Sequence, residues 1–160
     1  MGQMSEFTLG VRAFLKFYKW RRIDPVPWAL PDKPLAESRV GLVSSAALVL
    51  PHQAHFDEEM KGGDFSFRVI PSDVDVQTLV ETHRSDSFDR TGLEIDKNLV
   101  FPVDRLAEMA NEGVIGSVNH RALSFMGSIT APNRLVKETA PEAAELFVED
   151  QVDVALLVPV

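Results

Sequence analysis

The sequence predicts an α/β fold: a mostly parallel, Rossmann-like sheet with helices on both faces. Three observations carry this. Apolar strand-like runs alternate with amphipathic helical segments along the chain. The runs RVGLVSSAALVL (Arg39–Leu50) and VDVALLVPV (Val152–Val160) are almost continuously apolar, the pattern of strands covered on both faces. Between them lies a helix with clear start and stop signals, opened by Pro102 and ended by Gly113.

In chain order, residues 7–22 read as an amphipathic helix. Pro25, Pro27, Pro31 and Pro34 then forbid a regular helix or a central strand. This stretch is expected to wrap the surface as an extended arm, with Trp28 as its anchor. Residues 1–38 are thus expected to be an N-terminal helix and Pro-rich arm, and residues 39–160 the α/β domain. The first half of Arg39–Leu50 reads as a buried strand entering a loop at Ser44-Ser45. Residues 51–64 are loop-like and close with Gly62-Gly63. The alternating FSFRVIP (Phe65–Pro71) reads as a second strand. Asp73–Thr82 is predicted as a short helix capped by Ser72 or Asp73, and 83–97 as polar and irregular. Leu99–Phe101 reads as a short strand. Val103, Leu106, Met109 and Ala110 recur at helical spacing after Pro102. Val114–Val118 is a short β segment. Thr139-Ala-Pro-Glu142 has the form of a capping box, starting a helix that runs to about Asp150. Val152–Val160 then reads as a buried central strand.

Length and composition limit what this fold can do. A chain of 160 residues fits one core. Its formal net charge is -8, so the body repels nucleic acid and anionic membranes, and neither is expected as a partner. The charge is uneven: residues 1–22 hold Arg12, Lys16, Lys19, Arg21 and Arg22 against Glu6. That basic arm can meet a membrane, a nucleic acid, the body of the protein or a second subunit. There is no cysteine, hence no disulfide, zinc–thiolate site or thiol nucleophile in these residues. No apolar run reaches the length of a membrane span. MGQMSEFTLG lacks the basic-then-apolar order of a secretory signal. A cytoplasmic protein is expected. No repeat, phosphate loop or dinucleotide fingerprint is present, and no cofactor is expected.

Four segments carry a resemblance. They are RVGLVSSAAL (Arg39–Leu48), FSFRVIP (Phe65–Pro71), NLVFPVDRLAEMANEGVIGSVNHRALSFMG (Asn98–Gly127) and the closing DVALLVPV. Together, over roughly residues 39–160, they resemble the selenoprotein B family of glycine, sarcosine and betaine reductases and D-proline reductase. The long middle block is the most specific of the four. The resemblance implies reductive cleavage of a carbon–nitrogen bond alpha to a carboxylate. A selenocysteine, or a cysteine in its place, directly follows the strand similar to DVALLVPV. Its selenol attacks the alpha carbon and expels the amine or opens the proline ring, and thiols then reduce the adduct. In several members a carbonyl group, often a pyruvoyl on a partner subunit, first engages the amine. A selenol suits this chemistry because it is ionised at neutral pH, whereas an ordinary thiol has a pKa of about 8.5. This sequence departs from the family at the decisive point, since Val160 is its last residue. The expectation is a truncation, a UGA codon read as stop after Val160, and a chain that is catalytically silent as it stands. A natural short protein that has lost the function is the alternative.

The resemblance implies a small amino-acid-like substrate and a thiol or thioredoxin-type reductant, and leaves a homo-oligomer open. Candidate substrate-binding residues are Ser44, Ser45, His120, Arg121, Phe125, Met126, Gly127 and Pro159. The two serines can offer hydroxyl and N–H donors to a carboxylate or phosphate, or form a plain turn. Arg121 can bind a carboxylate as a fork of donors, and His120 can protonate a leaving amine, or the two can be a surface pair. Phe125, Met126 and Gly127 are expected to pack the cleft wall. His52, His55, Asp57, His83, Asp86 and Asp89 are metal-ligand types, but H-x-x-H in a polar loop is a weak signal and no metal is expected. Two other readings stay open: a binding or assembly module docking through residues 1–38, and, more weakly, a metal-dependent hydrolase using His52, His55, His83 and Asp89.

Overall fold

A computed structural model describes residues 7–18, 22–85 and 90–160. It divides into two compact units, residues 1–30 and 31–160. In the first, α1 (Leu9–Phe17) is amphipathic and buries no residue; Leu9, Phe14 and Phe17 are exposed. It is shorter than the helix expected over 7–22, because Tyr18 already leaves helical geometry with ψ 128°. Lys19 and Arg21 of the basic arm lie outside the described residues.

The second unit is organised around β1 (Arg39–Ser44). The other strands are β2 (Leu48–Val49), β3 (Phe67–Pro71), β4 (Val80–Glu81), β5 (Ser117–Val118), β6 (Arg121–Phe125) and β7 (Val154–Val158). Among the described residues five of these form one sheet. β5 and β6 follow one another along one edge of β1, both parallel to it. β7 runs parallel along the other edge, from Val40↔Val154 to Ser44↔Val158. β3 pairs antiparallel with β6. The sheet is therefore mostly parallel, with one reversed strand at its margin, and β2 and β4 form a separate antiparallel pair.

Helices cover both faces, as the alternation of side chains along β1 requires. Val40 and Leu42 point into a core with Phe101 and with Val103 and Leu106 of α3 (Val103–Asn111). Val43 points the other way, joining Leu123, Phe125 and Phe147 of α4 (Ala140–Glu149). Gly41 lets the Phe147 ring lie on the strand, since a Cβ there would come within 2.8 Å of it. Gly113 ends α3 with φ 72°, a left-handed turn that glycine adopts without strain.

Several local expectations are corrected. VDVALLVPV is an outer strand rather than a buried central one: Leu157 is 66% exposed, and β7 pairs with β1 alone among the described strands. Leu99–Phe101 is no strand. Asp96 accepts hydrogen bonds from the N–H and the amide of Asn98 and closes a 3₁₀ turn at Lys97–Leu99. Asn98 then ties that turn to Asp104 in the first turn of α3. The helix expected over Asp73–Thr82 is one 3₁₀ turn, Val76–Thr78, capped by Asp75. Pairing of Val80 with Val49 draws the next residues into β4. A further short helix, α2 (Thr91–Ile95), lies in the stretch expected to be irregular. Thr139 makes no capping bond. It sits inside a helical run that begins earlier, and its hydroxyl donates to the Phe65 carbonyl at 2.5 Å.

Candidate functional site

The carboxyl ends of β1, β6 and β7 meet in one corner. β1 runs out through Ser44 and Ser45 to Ala47, whose φ of 54° is left-handed. β6 runs out through Met126 and Gly127 to Ser128, also at φ 54°. Non-glycine residues rarely hold this conformation, and such strain is tolerated where surrounding contacts enforce it. Here the two exits brace each other: Ala46 bridges Met126, and the Ala47 N–H donates to the Phe125 carbonyl at 2.9 Å.

β7 brings Pro159 and Val160 to the same corner. The Ser45 N–H donates to the Val158 carbonyl at 3.1 Å. The Ser45 hydroxyl accepts the Val160 N–H at 2.9 Å. Ser45 thus fixes the backbone of the last residue. Gly127 leaves no room for a side chain. A Cβ there would lie 2.5 Å from His83 Nε2, 2.9 Å from the Ser45 carbonyl oxygen and 3.2 Å from that of Val160.

His83 reaches this corner by strand register. β4 returns antiparallel to β2, so Thr82 falls opposite Ala47 and donates to its carbonyl through both N–H and hydroxyl. The next residue, His83, is buried beside the exit of β1. Its Nδ1 accepts the Ser85 N–H at 3.1 Å, and Arg90 donates to its carbonyl at 2.7 Å. Burial is the largest influence on its imidazole and lowers its pKa below the usual 6.5; Glu81 raises it and Arg90 lowers it further.

A cavity of about 440 Å³ opens beside this corner on the α4 face of the sheet. It is lined by Val43, Leu123, Phe125, Met126, Phe147, Leu157 and Pro159 among others, with Ser44 and Ser45 as its hydroxyls and no charged side chain. The two serines differ. The Ser44 hydroxyl is spent within the fold, donating to the Val100 carbonyl at 2.6 Å and accepting the Ala46 N–H at 3.2 Å.

The structure therefore brings together Ser44, Ser45, Phe125, Met126, Gly127 and Pro159. It does not bring His120 and Arg121 to them. Those two stand at the amino end of β6, four residues and roughly 13 Å of strand from Phe125. Arg121 grips Asp150 with Nε at 2.6 Å and a second nitrogen at 2.7 Å. Its hydrogen bond to Asp150 raises the guanidinium pKa and lowers that of the carboxylate. His120 is exposed, 3.9 Å from Asp150. Among the described residues no group of three His, Asp or Glu is placed to hold a metal ion. Asp86 and Asp89 lie outside them. No helix of the described residues is long and apolar enough to cross a membrane.

The family model for glycine/sarcosine/betaine reductase selenoprotein B matches residues 8–159. The chain belongs to this family. It is 34% identical to the D-proline reductase subunit gamma of Acetoanaerobium sticklandii over 136 residues, 84% of this chain and 54% of that protein. It is 28% identical to the glycine reductase complex component B subunit gamma of Symbiobacterium thermophilum over 142 residues, 88% of this chain and 32% of that protein. The chain thus spans about half the length of the first relative and a third of the second. No solved structure matches it. His83 is the residue at the corner that no sequence pattern points to. Its position depends on β2 meeting β4 across about 30 intervening residues, and no local pattern encodes that pairing.

Proposed function

We propose that this chain forms the scaffold and part of the substrate cleft of a selenol- or thiol-dependent reductase that cleaves a carbon–nitrogen bond. The substrates are glycine-, betaine- or proline-like. The observation that carries this reading is the convergence of Ser45, Gly127 and Val160 at the carboxyl edge of a parallel sheet, where open α/β folds place their chemistry. The family's selenocysteine or cysteine follows the segment similar to DVALLVPV, so it falls in this corner. There the anionic nucleophile attacks the alpha carbon, a C–Se or C–S bond forms, and the C–N electron pair leaves with the amine. A thiol donor supplies the two electrons that release the product. The neighbouring cavity receives the apolar part of the substrate, and Ser45 holds the end of β7 at its margin, its N–H on the Val158 carbonyl and its hydroxyl on the Val160 N–H.

The nucleotide sequence tests this first: the codon after Val160 is expected to be UGA or a cysteine codon. With the frame continued, and with any partner subunits the relatives' complexes require, the protein is expected to release amine from such substrates in the presence of a dithiol. The 160-residue chain is expected to release none. A native frame ending at Val160, or silence of the completed complex on all these substrates, would sink the reading. A second reading is an assembly module, favoured by the exposed Leu9, Phe14 and Phe17 of α1. Loss of oligomeric state or partners on removing residues 1–38, seen by gel filtration, would support it.

A further inference from the structure

Within the reductase reading, on which this inference rests, we propose that His83 is a catalytic residue that donates a hydrogen bond from Nε2 to the anionic nucleophile following Val160. Three observations carry it. First, His83 Nε2 and the carbonyl of Val160 both lie within 3.2 Å of one point, the place a Cβ on Gly127 would occupy. The imidazole and the end of β7 therefore meet at the space left by the missing side chain of Gly127, with the Ser45 carbonyl oxygen 2.9 Å from the same point. Second, the ring is presented in one orientation. Nδ1 is occupied as the acceptor of the Ser85 N–H, and Arg90 holds the His83 carbonyl while pairing with Glu81 at 2.7 Å. Third, that hydrogen bond sets the tautomer. A neutral imidazole whose Nδ1 accepts must carry its proton on Nε2, the nitrogen turned toward Gly127.

The remaining charge setting agrees. Burial keeps the ring neutral near pH 7. Glu81, whose carboxylate accepts the His83 backbone N–H, opposes that, and Arg90 supports it. A neutral, fixed N–H donor favours an anion beside it without a neighbouring cation. The lining of the cavity supplies no cation for that task. A selenolate or thiolate here would gain a lowered pKa from His83 and keep a defined direction of attack.

Two measurements test this. In the chain as it stands, ¹⁵N spectra of the His83 ring are expected to show Nε2 protonated and Nδ1 unprotonated at pH 7. A protonated Nδ1 overturns the inference whatever follows Val160. In the chain continued past Val160 with cysteine as the next residue, the thiol is expected to react with iodoacetamide with a pKa below the ordinary value of about 8.5. His83→Phe is expected to raise that pKa by about one unit, slowing alkylation at pH 7 about tenfold. His83→Gln, which keeps an N–H donor, is expected to recover part of the rate. An unchanged alkylation profile in folded His83→Phe protein overturns the inference. It leaves the reductase reading to its own test, the codon after Val160.

Discussion

At the amino edge of the sheet Asp150 accepts hydrogen bonds from Arg121 and Asn119, Arg39 donates to the Asp150 carbonyl, and Lys33 pairs with Asp153 at 2.8 Å. At the carboxyl edge the groups that meet are a hydroxyl, two backbone carbonyls, an imidazole and the Cα of a glycine, approached through two left-handed residues. The first edge is a network in which charge is matched with charge. It ties the end of α4 to the start of β6. The second is crowded, strained in its backbone and uncharged in its inner lining. Matched charge stabilises but offers nothing to a substrate, because its donors are already taken. The corner at the other edge keeps its geometry with few polar side chains, which leaves Ser45 on the cavity wall and His83 against Gly127.

Removing a member of the amino-edge network should have the largest effect on folding. Asp150→Ala leaves the half-buried Arg121 guanidinium and the buried Asn119 amide without their shared acceptor. A loss of about 3 kcal/mol is expected, the low end for a broken buried pair because Arg121 keeps the Leu146 carbonyl and Glu149, and urea unfolding would measure it. A loss below about 1 kcal/mol would erase the contrast between the edges. The same carboxylate predicts an acid dependence. Arg121 holds its pKa below the usual 3.8, so the unfolded chain binds the proton first as pH falls. The stabilisation is complete above pH of about 5 and is lost as pH drops through the lower, folded value. Asp150→Asn should flatten unfolding free energy against pH in that acid window.

Gly127→Ala acts on the carboxyl edge. The added methyl would meet two backbone oxygens and a buried imidazole at 3.2 Å or less, and overpacking of this kind costs about 1–3 kcal/mol. Gly113→Ala is the control. Its site is open, so only the left-handed φ of 72° is at issue, at about 1 kcal/mol. Equal losses in the two variants would mean that the corner is looser than its distances imply.

The contrast between the edges was only half legible in the sequence. β1, α3 and β7 could be read because each carries a dense local signal: an apolar run, or Pro102 and Gly113 bracketing a helical period. The direction of β3 could not, since alternation is the same in parallel and antiparallel strands. Nor could the outer position of β7. VALLV is apolar enough for a central strand, and what covers a strand's far edge is not written in that strand. Leu99–Phe101 misled because three apolar residues carry no period, while the deciding contacts come from Asp96 and Asn98. Arg121 was singled out as a carboxylate binder, and it binds one, Asp150, 29 residues on. Ser45, Met126 and Gly127 were legible because they directly follow strands. His83 reads in the sequence only as a weak metal ligand, since nothing in HRSD reports the pairing of β4 with β2.

The smallest effect divides the serine pair. Ser44 is 1% exposed and its hydroxyl serves both Val100 and Ala46. Ser44→Ala strands the Val100 carbonyl and the buried Ala46 N–H, and should cost about 1–3 kcal/mol of global stability. Ser45 is half-buried, and its hydroxyl holds the N–H of Val160 at the end of an outer strand. Water can replace that partner, so Ser45→Ala should lower global stability by about 1 kcal/mol or less. Its signature is local: the Val160 amide should exchange with solvent faster, while amides in the middle of β1 keep their protection. If Ser45→Ala instead weakened the whole sheet as much as Ser44→Ala, the end of β7 would be part of the cooperative core. Ser45 would then hold the fold, with no separate task of positioning whatever follows Val160.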